Sequence, residues 1–334
     1  MSLHAVDDVT DALSVTGAFL HELRPRDWLK LAVVALLTGG ASSGFSGSSN
    51  LDTGGTGGST DVGIPNASLG DLLTMVPLWV WAFVAVALLL GFALAVLGSI
   101  LEFTFVEALR TGDVELRRTV AENWGKGLRL FGFNLVVTVL VLGSFALAVL
   151  PLLVGLRLGA AFLLLLPVAV VLALVAAIVS GFTRAFVVPI MLQADVGVLA
   201  GWRRLWSVLR AHPKEYGAFV VANLVLTLIG GVAVAIASVV VAIAVFIPVG
   251  LAFGLPFVLM GASGIVAWVW LAVGVVVGLL AFLLGVGLVS APVQAYLRYY
   301  ALLLLGDTEP DFDLLPERRA AAREEGGDGD AAAA

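Results

Sequence analysis

A chain of 334 residues that is 60% hydrophobic and only 13% charged cannot bury its apolar side chains in one water-soluble core, because an ordinary domain is about half apolar and about a quarter charged. The formal charge of −6 is regional: the acids lie mainly in the tails and one loop, and the basic residues lie beside the apolar runs, which is the pattern of membrane topology and not of nucleic-acid binding. With no cysteine, disulfides, thiolate metal sites and cysteine nucleophiles are excluded.

Residues 4–22 place Val6, Val9, Leu13, Thr16 and Leu20 at helical spacing, with Asp7, Asp8 and Asp11 elsewhere on the circumference. That predicts a helix lying on the membrane surface. Pro25-Arg26-Asp27-Trp28 then leads into a first span, about 28–46, weakened at its far end by Gly39, Gly40 and serines. Arg24, Arg26, the run Trp28 to Thr38 and the small residues after it also have the parts of a cleaved signal peptide. The acidic residues ahead of it, and the repeat described below, favour a span. Residues 42–72 are Gly, Ser, Thr and Asp without Lys or Arg, a solvated outer loop that holds the glycosylation sequon Asn66-Ala67-Ser68.

A second span, about 77–105, opens at Trp79 and Trp81 and closes at Glu102 and Glu107, long enough for ~30 Å of hydrocarbon. Residues 113–129 are amphipathic: Leu116, Val120, Trp124 and Leu128 step by four, with Arg117, Arg118, Lys126 and Arg129 elsewhere. Spans three and four, about 131–153 and 159–188, join through a turn from Pro151 to Arg157. Another surface helix, 195–214, carries Val198, Trp202, Leu205, Trp206 and Leu209 on one side. Span five, about 217–247, is followed by an apolar, Gly-rich connection with Pro248 and Pro256. Span six, about 265–290, has apolar sequence to continue past Pro292 through Arg298 to Leu305. The rest, 308–334, reads as an acidic, disordered cytoplasmic tail.

Short stretches recur in order. Asn134-Leu135-Val136-Val137-Thr138 matches Asn223-Leu224-Val225-Leu226-Thr227, Pro25-Arg26-Asp27-Trp28 matches Pro213-Lys214-Glu215-Tyr216, and Trp79-Val80-Trp81 matches Trp268-Val269-Trp270. The unit is surface helix, span, span, occurring over 1–113, 114–195 and 196–307. The fold class expected is all-α: a polytopic transmembrane helical bundle of six spans plus three amphipathic cytoplasmic-surface helices, with a threefold internal repeat in a single membrane domain, 1–307. Of 18 Lys and Arg, all except Arg157 fall on the side that holds both termini, which places both termini in the cytoplasm and the protein in the cell membrane.

Glu102, Glu107, Arg184 and Arg298 lie near the inner ends of the even-numbered spans. Ionisable groups within a span are costly and point to a functional site, and three units closed round an axis would bring these four to one vestibule. The plainer reading is that each snorkels to headgroups or pairs with a neighbour. Asn134 and Asn223, followed at i+4 by Thr138 and Thr227, suit interhelical hydrogen bonds better than ligand binding. Pro151, Pro167, Pro189, Pro248, Pro256 and Pro292 fall mostly near span ends, where proline stops or bends a helix. Arg117, Arg118, Lys126, Arg129, Arg203, Arg204, Arg210 and Lys214 form a basic rim. Each contributes about 1 kcal/mol of attraction to anionic lipid; an acidic cytoplasmic or membrane protein partner is the sharper alternative. His4, His21 and His212 stand apart without metal-ligand spacing, and no phosphate-binding loop, HExxH or GxSxG occurs. No cofactor, metal or catalysis is expected.

The pattern AVDDVTDALSVTGAFL with RPRDWLKLAVVALLTGG, the Asn-Leu-Val-Leu-Thr stretch, Arg184 and the polar tail resemble a family of uncharacterised haloarchaeal six-span integral membrane proteins. The plan of surface helix and hairpin is more distantly similar to the membrane domain of some glycerophosphodiester phosphodiesterases. Their catalytic barrel has no counterpart in these residues, so neither activity nor site residues carry over. The Arg-rich, Lys-poor composition among many Ala, Val, Gly and Asp points the same way, to a salt-adapted source. Two functional readings follow: a non-enzymatic, lipid-contacting scaffold or accessory subunit, and a small-solute or ion transporter or channel with a site between the repeats near Glu102, Arg184 and Arg298.

Overall fold

The computed structural model describes residues 4–45, 77–112, 116–153, 159–259, 261, 264–321 and 323. Among the described residues all regular structure is helical, as apolar runs in lipid require, because a helix satisfies its backbone polar groups internally. The helices are α1 His4–Glu22, α2 Pro25–Phe45, α3 Leu78–Thr111, α4 Leu116–Leu153, α5 Gly159–Phe182, α6 Val188–Ala194, α7 Val198–Ala211, α8 Pro213–Val249, α9 Leu255–Leu259 and α10 Ile265–Thr308. Two π-helical turns, Thr183–Val187 and Gly250–Gly254, join α5 to α6 and α8 to α9. The outer loop from residue 46 on, with Asn66, and the turn holding Arg157 lie outside the described residues.

Breaks follow local chemistry. Pro25 and Pro213 each start a new helix where their missing amide costs nothing. Gly112 ends α3 in the left-handed conformation, φ 79°, and its amide returns to the Ala108 carbonyl. The middle amphipathic segment has no such proline, and here the expectation of a separate surface helix at 113–129 needs correction: it runs on into the third span as one helix, α4. The connection expected after span five is likewise helical as far as Leu259.

Five helices among the described residues are long and apolar enough to cross a membrane: Val80–Thr111, Arg118–Val149, Leu165–Ala194, Pro213–Leu259 and Ile265–Thr308. The chain is a multi-pass membrane protein. α2, where the first span is expected, is not one of the five.

α10 packs along α2 on one side and α8 on the other; α3 packs on α2 and α4, and α4 on α5. The long helices therefore form a row in the order α5, α4, α3, α2, α10, α8. Small residues permit the closest crossings: a Cβ on Gly287 would stand 2.6 Å from the Ala32 carbonyl oxygen, and one on Gly127 2.8 Å from the Ile100 Cα. Along most of their length these helices expose Leu, Val and Ile, the surface that lipid covers.

The core lies where the long helices come together at one of their ends, hereafter the packed end. There α1 lies across α10 and α8. Tyr299 to Leu305 are buried on every side of α10. Rings from three elements interlock: Phe186 lies 4.8 Å from Phe219 and 5.1 Å from Tyr216, and Phe219 stacks on Tyr300 at 5.2 Å. These contacts bring the ends of α5 and α8 together, and beyond them the two helices do not pack along their length.

Two further expectations differ from what the chain does. The buried face of α1 is Asp8, Ala12, Val15, Thr16 and Phe19, while Leu13 is exposed; α1 has an apolar residue on each of two sides, one toward α10 and one toward the surroundings. The first part of the tail expected as disordered from 308 packs instead: residues 310–312 form a 3₁₀ turn, 316–321 are helical, and Leu314 and Leu315 are buried. The all-round apolar end of α10 needs a cover, and this segment supplies it.

Candidate functional site

Glu102 sits nine residues before the end of α3 and is 2% exposed. Leaving a carboxylate there is costly unless cations meet it. Two do: a guanidinium nitrogen of Arg298, from α10, bonds Glu102 directly, and Arg184 Nε lies 3.8 Å from Glu102 Oε1.

Arg184 is held by the π turn. The Val188 amide donates to the Thr183 carbonyl, five residues back. The Arg184 carbonyl would then look to residue 189, but Pro189 has no amide to give. Arg298 takes that carbonyl with its other terminal nitrogen. Thus one arginine ties the carboxylate of α3 to the backbone of the α5–α6 turn. From the far side Trp202 Nε1 donates to Thr183 Oγ1 at 3.0 Å, and Gly201 lets α7 approach so closely that a Cβ there would meet Val187 at 2.8 Å.

Above this cluster lies a cavity of about 660 Å³, lined by Glu102, Arg184, Arg298, and faces of α2, α8 and α10. Its polar lining includes Thr38, Thr227, Ser238, Ser290 and Gln294. Gln294 Nε2 donates to the Ala35 carbonyl at 3.0 Å and Thr38 donates to Gln294 Oε1 at 3.4 Å, tying α10 to α2 in the cavity wall. Among the described lining residues there are two arginines and one acid, so the cavity carries an excess positive charge. Guanidinium groups in such a setting favour oxyanions.

Of the four ionisable residues singled out from the sequence, Glu102, Arg184 and Arg298 come together. Glu107 does not: five residues on is about 140° round the helix, and its carboxylate lies 3.9 Å from Arg110 instead. Asn134 and Asn223 are half-buried. Neither side chain makes a hydrogen bond among the described residues. Thr227 lines the cavity, whereas Thr138 lines a smaller crevice of about 270 Å³ between α4 and α5.

The basic rim is spread along the packed end. Arg118 pairs with Glu122 at 3.0 Å with both side chains exposed, a contact worth little. Arg129, Arg203, Arg204 and Arg210 are exposed, and the Arg210 guanidinium lies 5.1 Å over the Trp206 ring. The Arg117 side chain lies outside the described residues. Lys126 reaches Asp195 at 2.9 Å. Its hydrogen bond and charge hold the Asp195 carboxyl below the usual carboxylate range, and Asp195 itself adopts a left-handed φ of 51° at the end of α6.

Sequence reasoning missed a second charged cluster, built by α1 and the C-terminal segment. Arg319 bonds Asp307 at 2.7 Å and also Asp313; Arg323 bonds Asp307, and lies 3.3 Å from Asp11 and 3.7 Å from Asp8. Asp8 is fully buried, and its carboxyl oxygens have no hydrogen-bond partner among the described residues. Burial, and then the negative charge of Asp307, push its pKa up to about 8. The available signal was the spacing of Asp8 with Ala12, Val15 and Phe19 on one helical face.

No curated protein and no solved structure matches the chain. A family model matches residues 3–315, nearly its whole length, and on that match the chain belongs to the family of unknown function DUF7544.

Proposed function

We propose that this is a non-enzymatic integral membrane protein, a lipid-contacting scaffold or accessory subunit, that holds an anionic group in the cavity beside Glu102, Arg184 and Arg298. The observation that carries this reading is the excess of positive charge at the floor of a cavity whose surroundings are lipid-facing helices. A charge placed there without a purpose would be expensive to keep. In the same reading α2 is a sixth span, the three units descend from one repeated hairpin of a salt-adapted archaeal lineage, and the packed end with both termini faces the cytoplasm, because the basic residues gather there. The exposed stripe Leu199, Arg203, Trp206, Arg210 on α7 then meets anionic headgroups. An acidic protein partner is the competing occupant of that rim, and weighing the gently purified protein intact for a stoichiometric partner decides between them.

Thermal unfolding of the purified protein in a zwitterionic detergent tests the central claim. Inorganic phosphate should raise the midpoint as mass action requires, and Arg184→Gln should abolish the rise. An equal rise in the variant, or none in the parent, removes the reading.

The second reading is a pathway for a small anion, favoured by the extent of the cavity along α8 from Thr227 to Ser238, about 16 Å of helix. Cysteines placed at Gly181 and Gly285 should resist a membrane-impermeant thiol reagent in a scaffold; labelling at both positions favours a pathway.

A further inference from the structure

The cavity has a gradient. Its floor is charged, at Glu102, Arg184 and Arg298; a belt of Thr38, Thr227, Ser290 and Gln294 follows; and farther along α8 and α10 the walls are Gly231, Val234, Ala235 and Val286, with one hydroxyl, Ser238, at the far end. A free oxyanion would use the floor alone. At about 660 Å³ the cavity is far larger than such an ion, and in the range that holds ligands of many non-hydrogen atoms.

Its sides also differ. α10 seals one side by packing against both α2 and α8, with Gly287 and Gly39 allowing the close approach. On the other side α8 packs along neither α2 nor α5, and it meets the α5 end at the aromatic cluster of Phe182 and Phe186 with Tyr216 and Phe219. Val171 on α5 and Val232 and Ile236 on α8 are exposed apolar side chains that belong against lipid. The side of the cavity that α10 does not seal thus has lipid-facing helices beside it.

Resting on the anion-binding reading above, we propose that the cavity takes an anionic glycerophospholipid from the surrounding membrane, its phosphate at Arg184 and Arg298 and a hydrocarbon chain along the apolar wall of α8. The gradient from charge to hydrocarbon repeats that of the lipid itself. Two guanidinium groups against one carboxylate favour a headgroup of net negative charge and disfavour a choline headgroup, whose own cation they repel. An amphiphile also fills the apolar half of the cavity, which a soluble anion would leave without an occupant.

The test uses the intact protein in zwitterionic detergent, incubated with equal amounts of dioleoylphosphatidylglycerol and dioleoylphosphatidylcholine and weighed by native mass spectrometry. One phosphatidylglycerol per chain should be retained, at least about tenfold over phosphatidylcholine, and Arg184→Gln should lose that preference. Ala235→Phe fills the apolar half of the cavity and leaves its floor untouched. It should lose the lipid while inorganic phosphate still raises its unfolding midpoint, a response that also certifies its fold; Ser238→Leu repeats the test one turn farther along α8. Unchanged retention in both cavity-filling variants, or no preference for phosphatidylglycerol in the parent, overturns the lipid assignment and leaves the anion site standing. Loss of any phosphate response in the parent sinks the anion site and the lipid assignment together.

Discussion

Glu102 is stable where it is only because both arginines stay. Arg298 is the stronger partner, since it bonds the carboxylate and also the Arg184 carbonyl that the π turn presents. Arg298→Leu leaves Glu102 with Arg184 Nε at 3.8 Å, and removing one partner of a buried pair costs about 3–5 kcal/mol. We expect a large fall in the unfolding midpoint for Arg298→Leu and recovery of part of it in the double variant Glu102→Leu, Arg298→Leu, which still lacks the donor to the Arg184 carbonyl. A single variant as stable as the parent would mean that solvent, and not Arg298, balances the carboxylate. Asp8 poses the opposite problem, an acid with its pKa pushed up to about 8, against about 3.9 in the unfolded chain. Between those values the folded protein keeps a proton that the unfolded chain has lost. Stability contributed by this group therefore falls as pH rises through that window, by at most about 1.4 kcal/mol per pH unit, and levels off above pH 8. Arg323 opposes the shift, while Asp307 and Asp11 add to it. Asp8→Asn removes the titration. Its midpoint should be flatter than the parent's from pH 5 to 8, and higher than the parent's at pH 8.5; parallel curves would show that Asp8 stays charged.

At the scale of elements, the glycines decide how close the helices come. Gly287 brings α10 against the α2 backbone at the level of Ala32, so a side chain there has a carbonyl oxygen in its way, which cannot rotate aside as a side chain can. Gly287→Ala should cost about 1–3 kcal/mol, read as a lower unfolding midpoint, whereas Gly17→Ala, with nothing within 4 Å of its new methyl group, should be neutral or gain up to about 1 kcal/mol from helix propensity. Equal effects at the two positions would contradict the close crossing. The helical class and α1, expected over 4–22, were legible from spacing, whereas the expected start of span five at about 217 missed that Pro213 begins the helix. Pro189 and Pro256 were not, since a missing amide reads equally as a helix end or as a π turn that absorbs it. At Thr183–Val187 the carbonyl that Pro189 leaves without an amide is taken by Arg298, 114 residues away. Local sequence carries no trace of that partner. The same holds for Glu102, whose position near a span end was evident but whose partners depended on how the row of helices folds back.

The whole molecule divides into a splayed bundle, whose apolar side chains face lipid, and a packed end with the core of a soluble protein. Hydropathy reveals the first and obscures the second, because Leu302 to Leu305 read as span whether lipid or protein covers them. The acidic composition after Gly306 likewise suggests a solvated tail, although Leu314 and Leu315 within it are buried and Arg319 and Arg323 close on Asp307, Asp11 and Asp8. The C-terminal segment is thus a clasp between the first and last helices of the chain. Deleting everything after Thr308 uncovers the end of α10 and removes two buried leucines, each worth about 1.5–3 kcal/mol, together with the cations that offset Asp307. The protein so shortened should unfold several degrees lower and expose α1 to limited proteolysis near Asp11. A shortened protein as stable and as protease-resistant as the parent would mean that α10 and α1 hold the packed end by themselves, with the C-terminal segment merely resting on them.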